Sequence, residues 1–155
     1  MAGKHEKPCL GELAPRYGFF LNPYSDVRFV TCCPNCGRPP RQRKLPLAIH
    51  VDDWGMVVLN KTCRFCPVCE LLIAHRDELE SLLANLFQRL APAVIGSHYF
   101  VVGTVERQGW RRGLTNPLAV SELRAVLHDF KDHHFFEPPQ RWVRAGSGDG
   151  AAKPR

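Results

Sequence analysis

The sequence has no apolar run approaching the roughly 20 residues that cross a bilayer, and no apolar stretch behind its polar opening, Met1 to Lys7. Neither a membrane span nor a secretory signal is expected, and the cytoplasm is the expected compartment. Acidic residues are missing from Val27 to Val51, where Arg28, Arg38, Arg41, Arg43 and Lys44 all occur. Internal repeats are missing as well, except for one four-residue pattern that occurs twice. A zinc deaminase needs His-x-Glu and Pro-Cys-x-x-Cys. Here His50 is followed by Val51 and Asp52, and no proline precedes Cys33 or Cys66.

What is present suits a folded chain. The 155 residues fit one ordinary domain, or a small metal-stapled domain with an appendage, and the apolar fraction of 45% is that of a globular protein. Seven cysteines without an export signal point to metal or redox use rather than a disulfide framework. The formal net charge of +6 favours nucleic acid or another anionic partner, but four metal-bound thiolates and one Zn²⁺ bring it to about +4.

The repeated pattern is Cys-Pro-x-Cys, at Cys33-Pro34-Asn35-Cys36-Gly37 and Cys66-Pro67-Val68-Cys69. Two cysteines three apart flank a tight turn, so both sulfurs can converge on one ion, and proline stiffens that turn. Either pair alone is a weak signal. Together they supply the four sulfurs of a tetrahedral site, so Cys33, Cys36, Cys66 and Cys69 are the expected ligands of one structural Zn²⁺. Cys32 and Cys63 blur the register, since Cys63, Cys66 and Cys69 form a Cys-x-x-Cys-x-x-Cys run. The proline-containing pairs are preferred because they repeat one pattern, which leaves Cys32 and Cys63 as small core residues or neighbours of the site.

Organisation along the chain follows from period and turn chemistry. Residues 1–15 read as a flexible arm, 16–92 as the zinc-binding domain, 93–144 as a strand-helix extension packed on it, and 145–155 as a disordered tail. Arg16 to Leu21 and Val27 to Thr31 read as a hairpin entering the first knuckle, and Arg38 to Pro46 as a Pro- and Arg-rich loop. Leu47 to Val51 and Met56 to Asn60 flank Asp52-Asp53-Trp54-Gly55 as a second hairpin. From Val68 the apolar residues Leu72, Leu79, Leu83, Leu86 and Leu90 fall at helical spacing, with Asp77 and Glu80 placed as a capping box and a break near His75. His98 to Glu106 reads as a strand, and Asn116-Pro117 as the start of a helix to about Asp132.

Knuckle, loop, hairpin, and then a second pair opening a helix is the order of treble-clef zinc domains, which the chain resembles from about Val30 to Leu90. The fold class this implies is α+β: a small treble-clef-like zinc domain of hairpins plus a helix, with a C-terminal strand-helix extension. A plain zinc ribbon, with the second pair on another hairpin, is the alternative. The stretch LNKTCRFCPVCELLIAHRDELE also resembles a family of uncharacterised bacterial zinc proteins, a resemblance that implies no activity.

Function divides into two classes. The leading reading is a non-catalytic, zinc-stabilised binding module. Its partner would be single-stranded RNA or DNA, met by Arg41, Arg43 and Lys44 and by Trp110, Arg111 and Arg112, or else another protein. Those bases, with Lys61 and Arg64, can instead offset the charge of the thiolates. The other class is a thiol-disulfide oxidoreductase using a Cys-Pro-x-Cys pair ahead of a helix. His75 is expected to be half-buried and hydrogen-bonded rather than a ligand, and the helical pairs His128/Asp132 and Asp129/His133 to support a helix end.

Overall fold

The computed structural model describes residues 10–107 and 120–137. In chain order these form β1 (Gly18–Asn22), β2 (Arg41–Val51), β3 (Gly55–Cys66), β4 (Leu71–His75), α1 (Arg76–Leu90), a 3-10 turn (Pro92–Val94), β5 (Tyr99–Val105), α2 (Val120–Ala125), β6 (Leu127–Asp129) and β7 (Asp132–His134). No helix among them is long and apolar enough to cross a membrane.

The seven strands form one mixed sheet in the order β6-β5-β2-β3-β4-β1-β7. β1 runs parallel to both β4 and β7, and the remaining pairs are antiparallel. The two edge strands are successive pieces of one segment. Between them Phe130 donates its N–H to Val102 and Lys131 donates its own to Tyr17, so the sheet curls until its edges are joined by two residues.

Side chains alternate across this curl, as strand geometry requires. Leu45, Leu47, Ile49 and Val51 of β2 face inward with Cys63 and Phe65 of β3, Leu72 and Ala74 of β4 and Phe19 of β1, and α1 packs Leu79, Leu83 and Phe87 onto them. Outside the sheet two smaller clusters form. Phe20, Phe29, Cys33, Cys66, Leu71 and Ile73 lie at the cysteine end, and Ala48, Val102, Val105, Leu123, Val126 and Leu127 lie beneath α2.

This architecture overturns the treble-clef reading. The helix does not open at Cys69: β4 intervenes, and α1 starts at Arg76. All five residues of β4, Leu-Leu-Ile-Ala-His, are buried, because α1 covers one face and the Phe20 cluster the other. A strand covered on both faces loses its polar alternation and can fall into helical spacing with the true helix behind it. The second pair therefore sits at the tip of the β3–β4 hairpin, the placement of the zinc-ribbon alternative. Nor is there a separate extension, since β5, β6 and β7 belong to the same sheet.

Other departures have local causes. Val27 to Thr31 forms no strand, because Phe29 takes a positive φ of 53° to turn its ring into the outer cluster. Residues 41–46, read as loop, extend β2. Pro46 is tolerated there because the β2–β5 register starts only at Leu47, leaving β2 open on that side. The 47–51/56–60 hairpin forms as expected around residues 52–54, with Gly55 at φ 118°. Only the six residues of α2 are helical in the described part of the last segment, and residues 127–129 and 132–134 are strands, drawn to the sheet edges by the burial of Leu127 and Phe130.

Candidate metal centre

The sulfurs of Cys33, Cys36, Cys66 and Cys69 all lie within 4.8 Å of one another. Cys36 and Cys66 are the closest contact described, Sγ to Sγ, at 3.6 Å. A tetrahedral ion with bonds of about 2.3 Å needs sulfurs roughly 3.8 Å apart, so the set matches a four-sulfur metal site in spacing and donor chemistry. It is the only cluster of three or more metal-capable side chains among the described residues.

The two pairs are placed differently. Cys66 closes β3, opposite Leu71, and Cys69 lies in the turn that leads into β4. Cys33 and Cys36 sit outside the sheet on a short turn closed by Gly37 N–H to the Cys33 carbonyl (2.9 Å) and by Cys33 N–H to the Arg38 carbonyl (2.8 Å). Gly37 has a φ of 82° and open space where a Cβ would be, the left-handed backbone such a turn needs.

Hydrogen bonds to sulfur tune the site. The Asn35 N–H donates to Cys33 Sγ at 3.4 Å, and the Asn35 side-chain amide reaches across to Cys69 Sγ at 3.2 Å, tying one pair to the other. Burial pushes the Cys33 thiol up to about 12 against two N–H donors in its own turn. The Arg38 backbone N–H brings exposed Cys36 down to about 7. At Cys69 the Asn35 amide favours the thiolate, yet burial and the neighbouring sulfurs outweigh it and leave the thiol raised. Four thiolates at this spacing therefore require a cation among them.

Strand alternation resolves the Cys63-Cys66-Cys69 register. Residues three apart on a strand face opposite sides. Cys63 thus belongs to the inner core, its Sγ directed at the Lys61 carbonyl and its thiol pushed up to about 12 by burial, while Cys66 belongs to the outer cluster. Cys32 is exposed and outside the four-sulfur group. All six described cysteines are free thiols, and Cys9 lies outside the described residues.

Among the described residues, the bases singled out in the sequence have different surroundings. Arg43 points inward and lies over the rings of Phe65 (5.0 Å) and Tyr17 (5.7 Å), so it caps the core. Lys44 points the other way, into a cleft it shares with Asp77 and Glu78, while Arg41 is exposed. Trp110, Arg111 and Arg112 lie outside the described residues. Lys61, expected to balance the thiolates, is buried and donates to Glu78 (2.7 Å) and to the Thr62 carbonyl (2.8 Å). Arg28 makes a two-pronged ion pair with Asp77, at 2.9 and 2.6 Å, which holds the Asp77 carboxyl down at about 2. Asp77 is thus committed to Arg28 and to the Glu78 N–H instead of serving as a helix cap.

His75, His128 and His133 are each hydrogen-bonded within the fold. Buried His75 meets the Asn22 amide at Nδ1 (3.3 Å), and burial lowers its pKa. His128 and His133 lie on β6 and β7 and bond the carbonyls of Ala14 and Val101, both at 2.7 Å, while Asp129 accepts the N–H groups of Leu10 and Gly11. Neither pair, His128/Asp132 or Asp129/His133, lies on a helix.

Compared with protein-family models, with curated proteins and with solved structures, the chain finds no match, and no family is identified behind the resemblance of residues 59–80.

Proposed function

We propose that the chain is a zinc-stabilised binding module in which Cys33, Cys36, Cys66 and Cys69 hold one structural Zn²⁺. The supporting observation is the convergence of four sulfurs, two from a strand hairpin and two from a turn outside the sheet, with no histidine or carboxylate among them. A bound Zn²⁺ supplies charge compensation and a tie between distant segments. With four thiolates around it no position remains for water, so the module is not an enzyme on this reading. Six described cysteines with no disulfide among them suit a reducing compartment such as the cytoplasm.

Single-stranded RNA or DNA is the partner class this reading puts first. Its support is the acid-free stretch from Val27 to Val51 and the exposure of Arg38 and Arg41 within it. A protein partner comes second, favoured by Val68, 60% exposed at the tip of the β3–β4 turn, and Phe135, 64% exposed beside Tyr24. Thiol-disulfide exchange has less behind it. Cys69 leads into a strand, so no helix N-terminus lies next to the pair to stabilise a reactive thiolate.

One native preparation tests this. Elemental analysis should find about one zinc per chain, and single-stranded RNA or DNA should bind at low salt and weaken as salt rises. A folded chain free of metal would sink the zinc reading. Zinc without measurable nucleic acid binding would leave the protein partner.

A further inference from the structure

We propose that the four-cysteine centre is a peroxide-sensitive switch, in which Cys36 is oxidised first and Cys66 resolves it to a disulfide that releases the metal. The inference rests on the zinc reading above and goes beyond it by assigning different chemistry to ligands of identical type. The four sulfurs are unequally accessible. Cys33 and Cys66 are 1% and 0% exposed, Cys69 is half-buried with its sulfur covered by the Asn35 amide, and Cys36 is exposed. An oxidant from solvent therefore meets Cys36 first.

The resolving partner follows from position. Cys66 Sγ is 3.6 Å from Cys36 Sγ and is fixed at the end of β3 by the β3–β4 ladder. A disulfide requires a sulfur separation of about 2.05 Å, so closure needs a shift of roughly 1.5 Å. Cys36 can supply it, since it lies in a turn outside the sheet and is followed by Gly37, around which there is open space.

The chemistry balances in two steps. The Cys36 thiolate attacks one oxygen of hydrogen peroxide, breaking the O–O bond to give a sulfenic acid and hydroxide. The Cys66 thiolate then attacks that sulfur, forming the S–S bond and expelling the second hydroxide. Two thiolates are oxidised by two electrons, one peroxide is reduced, and two protons from solvent convert the hydroxides to water. With two donors consumed, Cys33 and Cys69 alone hold the ion too weakly to keep it.

Zinc content is measured on the native full chain before peroxide is added. A chain without zinc at that point overturns the parent reading and this one with it. Zinc-loaded protein then receives hydrogen peroxide in the presence of a chromogenic zinc chelator, followed by alkylation and peptide mapping. The expected result is zinc release matched by one Cys36–Cys66 disulfide and reversed by dithiothreitol with added zinc. Cys36→His, which keeps a ligand donor but removes the thiol, should slow release by roughly tenfold or more, and Cys32→Ser should leave the rate unchanged. A disulfide joining any other pair, release at the native rate from Cys36→His, or zinc retained after peroxide would each overturn the proposal.

Discussion

The two Cys-Pro-x-Cys turns have the same pattern and opposite support. The second is the tip of a β-hairpin whose strands pair whether or not anything sits between the sulfurs, and whose inner face is covered by α1. The first lies outside the ladder and is held by side chains: Phe29 and Cys33 packed with Phe20, the Asn22 amide donating to the Val27 carbonyl, the ion pair of Arg28 with Asp77 on α1, the Asn35 amide and the sulfurs themselves. The contrast teaches that a metal tie matters in proportion to what else holds the segment it closes. Here one half is preorganised and the other is recruited to it.

The largest effect should come from removing the metal. Chelation is expected to cost several kcal/mol, about 10 °C in Tm for a chain of this size. The loss should be local: hydrogen exchange should rise across residues 31–38 while β2 and β3 stay protected and far-UV circular dichroism keeps its strand signal. Equal loss of protection in both turns would break the comparison.

Next come neighbouring phenylalanines on opposite faces of β1. Phe19 stacks on Phe130 in the inner core with ring centres 4.5 Å apart, whereas Phe20 packs beneath the first turn against Phe29 and Phe136. Each is buried, so either change to Ala should cost about 3–5 kcal/mol. Only Phe20→Ala should also weaken zinc binding, as read by competition with a chelator of known affinity. Matching affinities in the two variants would show that the outer cluster does not position Cys33.

Asn35→Ala removes the one amide that reaches from the first turn to the Cys69 sulfur. Zinc affinity should fall about tenfold with little change in the apoprotein's stability. An unchanged affinity would mean that this bond orients nothing.

The smallest effect concerns acid. The Asp77 carboxyl is held at about 2, below its ordinary 3.8, first by the Arg28 hydrogen bond. A depressed carboxylate contributes stability above its unfolded-state pKa and loses it as pH falls toward the folded one, so the contribution should vanish between about pH 4 and pH 2. In chelated protein, where thiolate protonation no longer contributes, Asp77→Asn should flatten this part of the stability profile. A profile identical to that of the unmutated chain would remove the ion pair from the anchors of the first turn.

The four sulfurs were legible because their spacing reports turn geometry directly, and the central hairpin because Asp-Asp-Trp-Gly between apolar runs permits little else. What surrounds them was not. Leu71 to His75 looks helical only because packing on both faces removed the alternation that marks a strand. Leu127 and Phe130 also fell at helical spacing, although Leu127 enters the cluster beneath α2 from a strand and Phe130 enters the inner core from the bend behind it. The length of β2 was hidden by Arg41, Arg43, Lys44 and Pro46, whose composition is that of a loop. In the fold Arg43 spends its charge on two aromatic rings and Pro46 stands where no neighbour asks for its missing N–H. These are facts of tertiary contact, and no local pattern encodes them.

The junction at Phe130 and Lys131 has a consequence for the life of the molecule in crowded solution. An open seven-stranded sheet would leave two rows of unpaired backbone groups on which a passing extended chain could assemble. Here the strand at each end of the sheet has three residues, and the same short stretch of polypeptide supplies both, so a foreign strand finds almost no ladder to extend at either end, and the longer unpaired stretches are those of β2 before Leu47 and β3 before Arg64. Tyr17, Val102 and their two hydrogen bonds thereby guard against self-association, and loosening that bend should reveal itself first as aggregation, before any loss of metal.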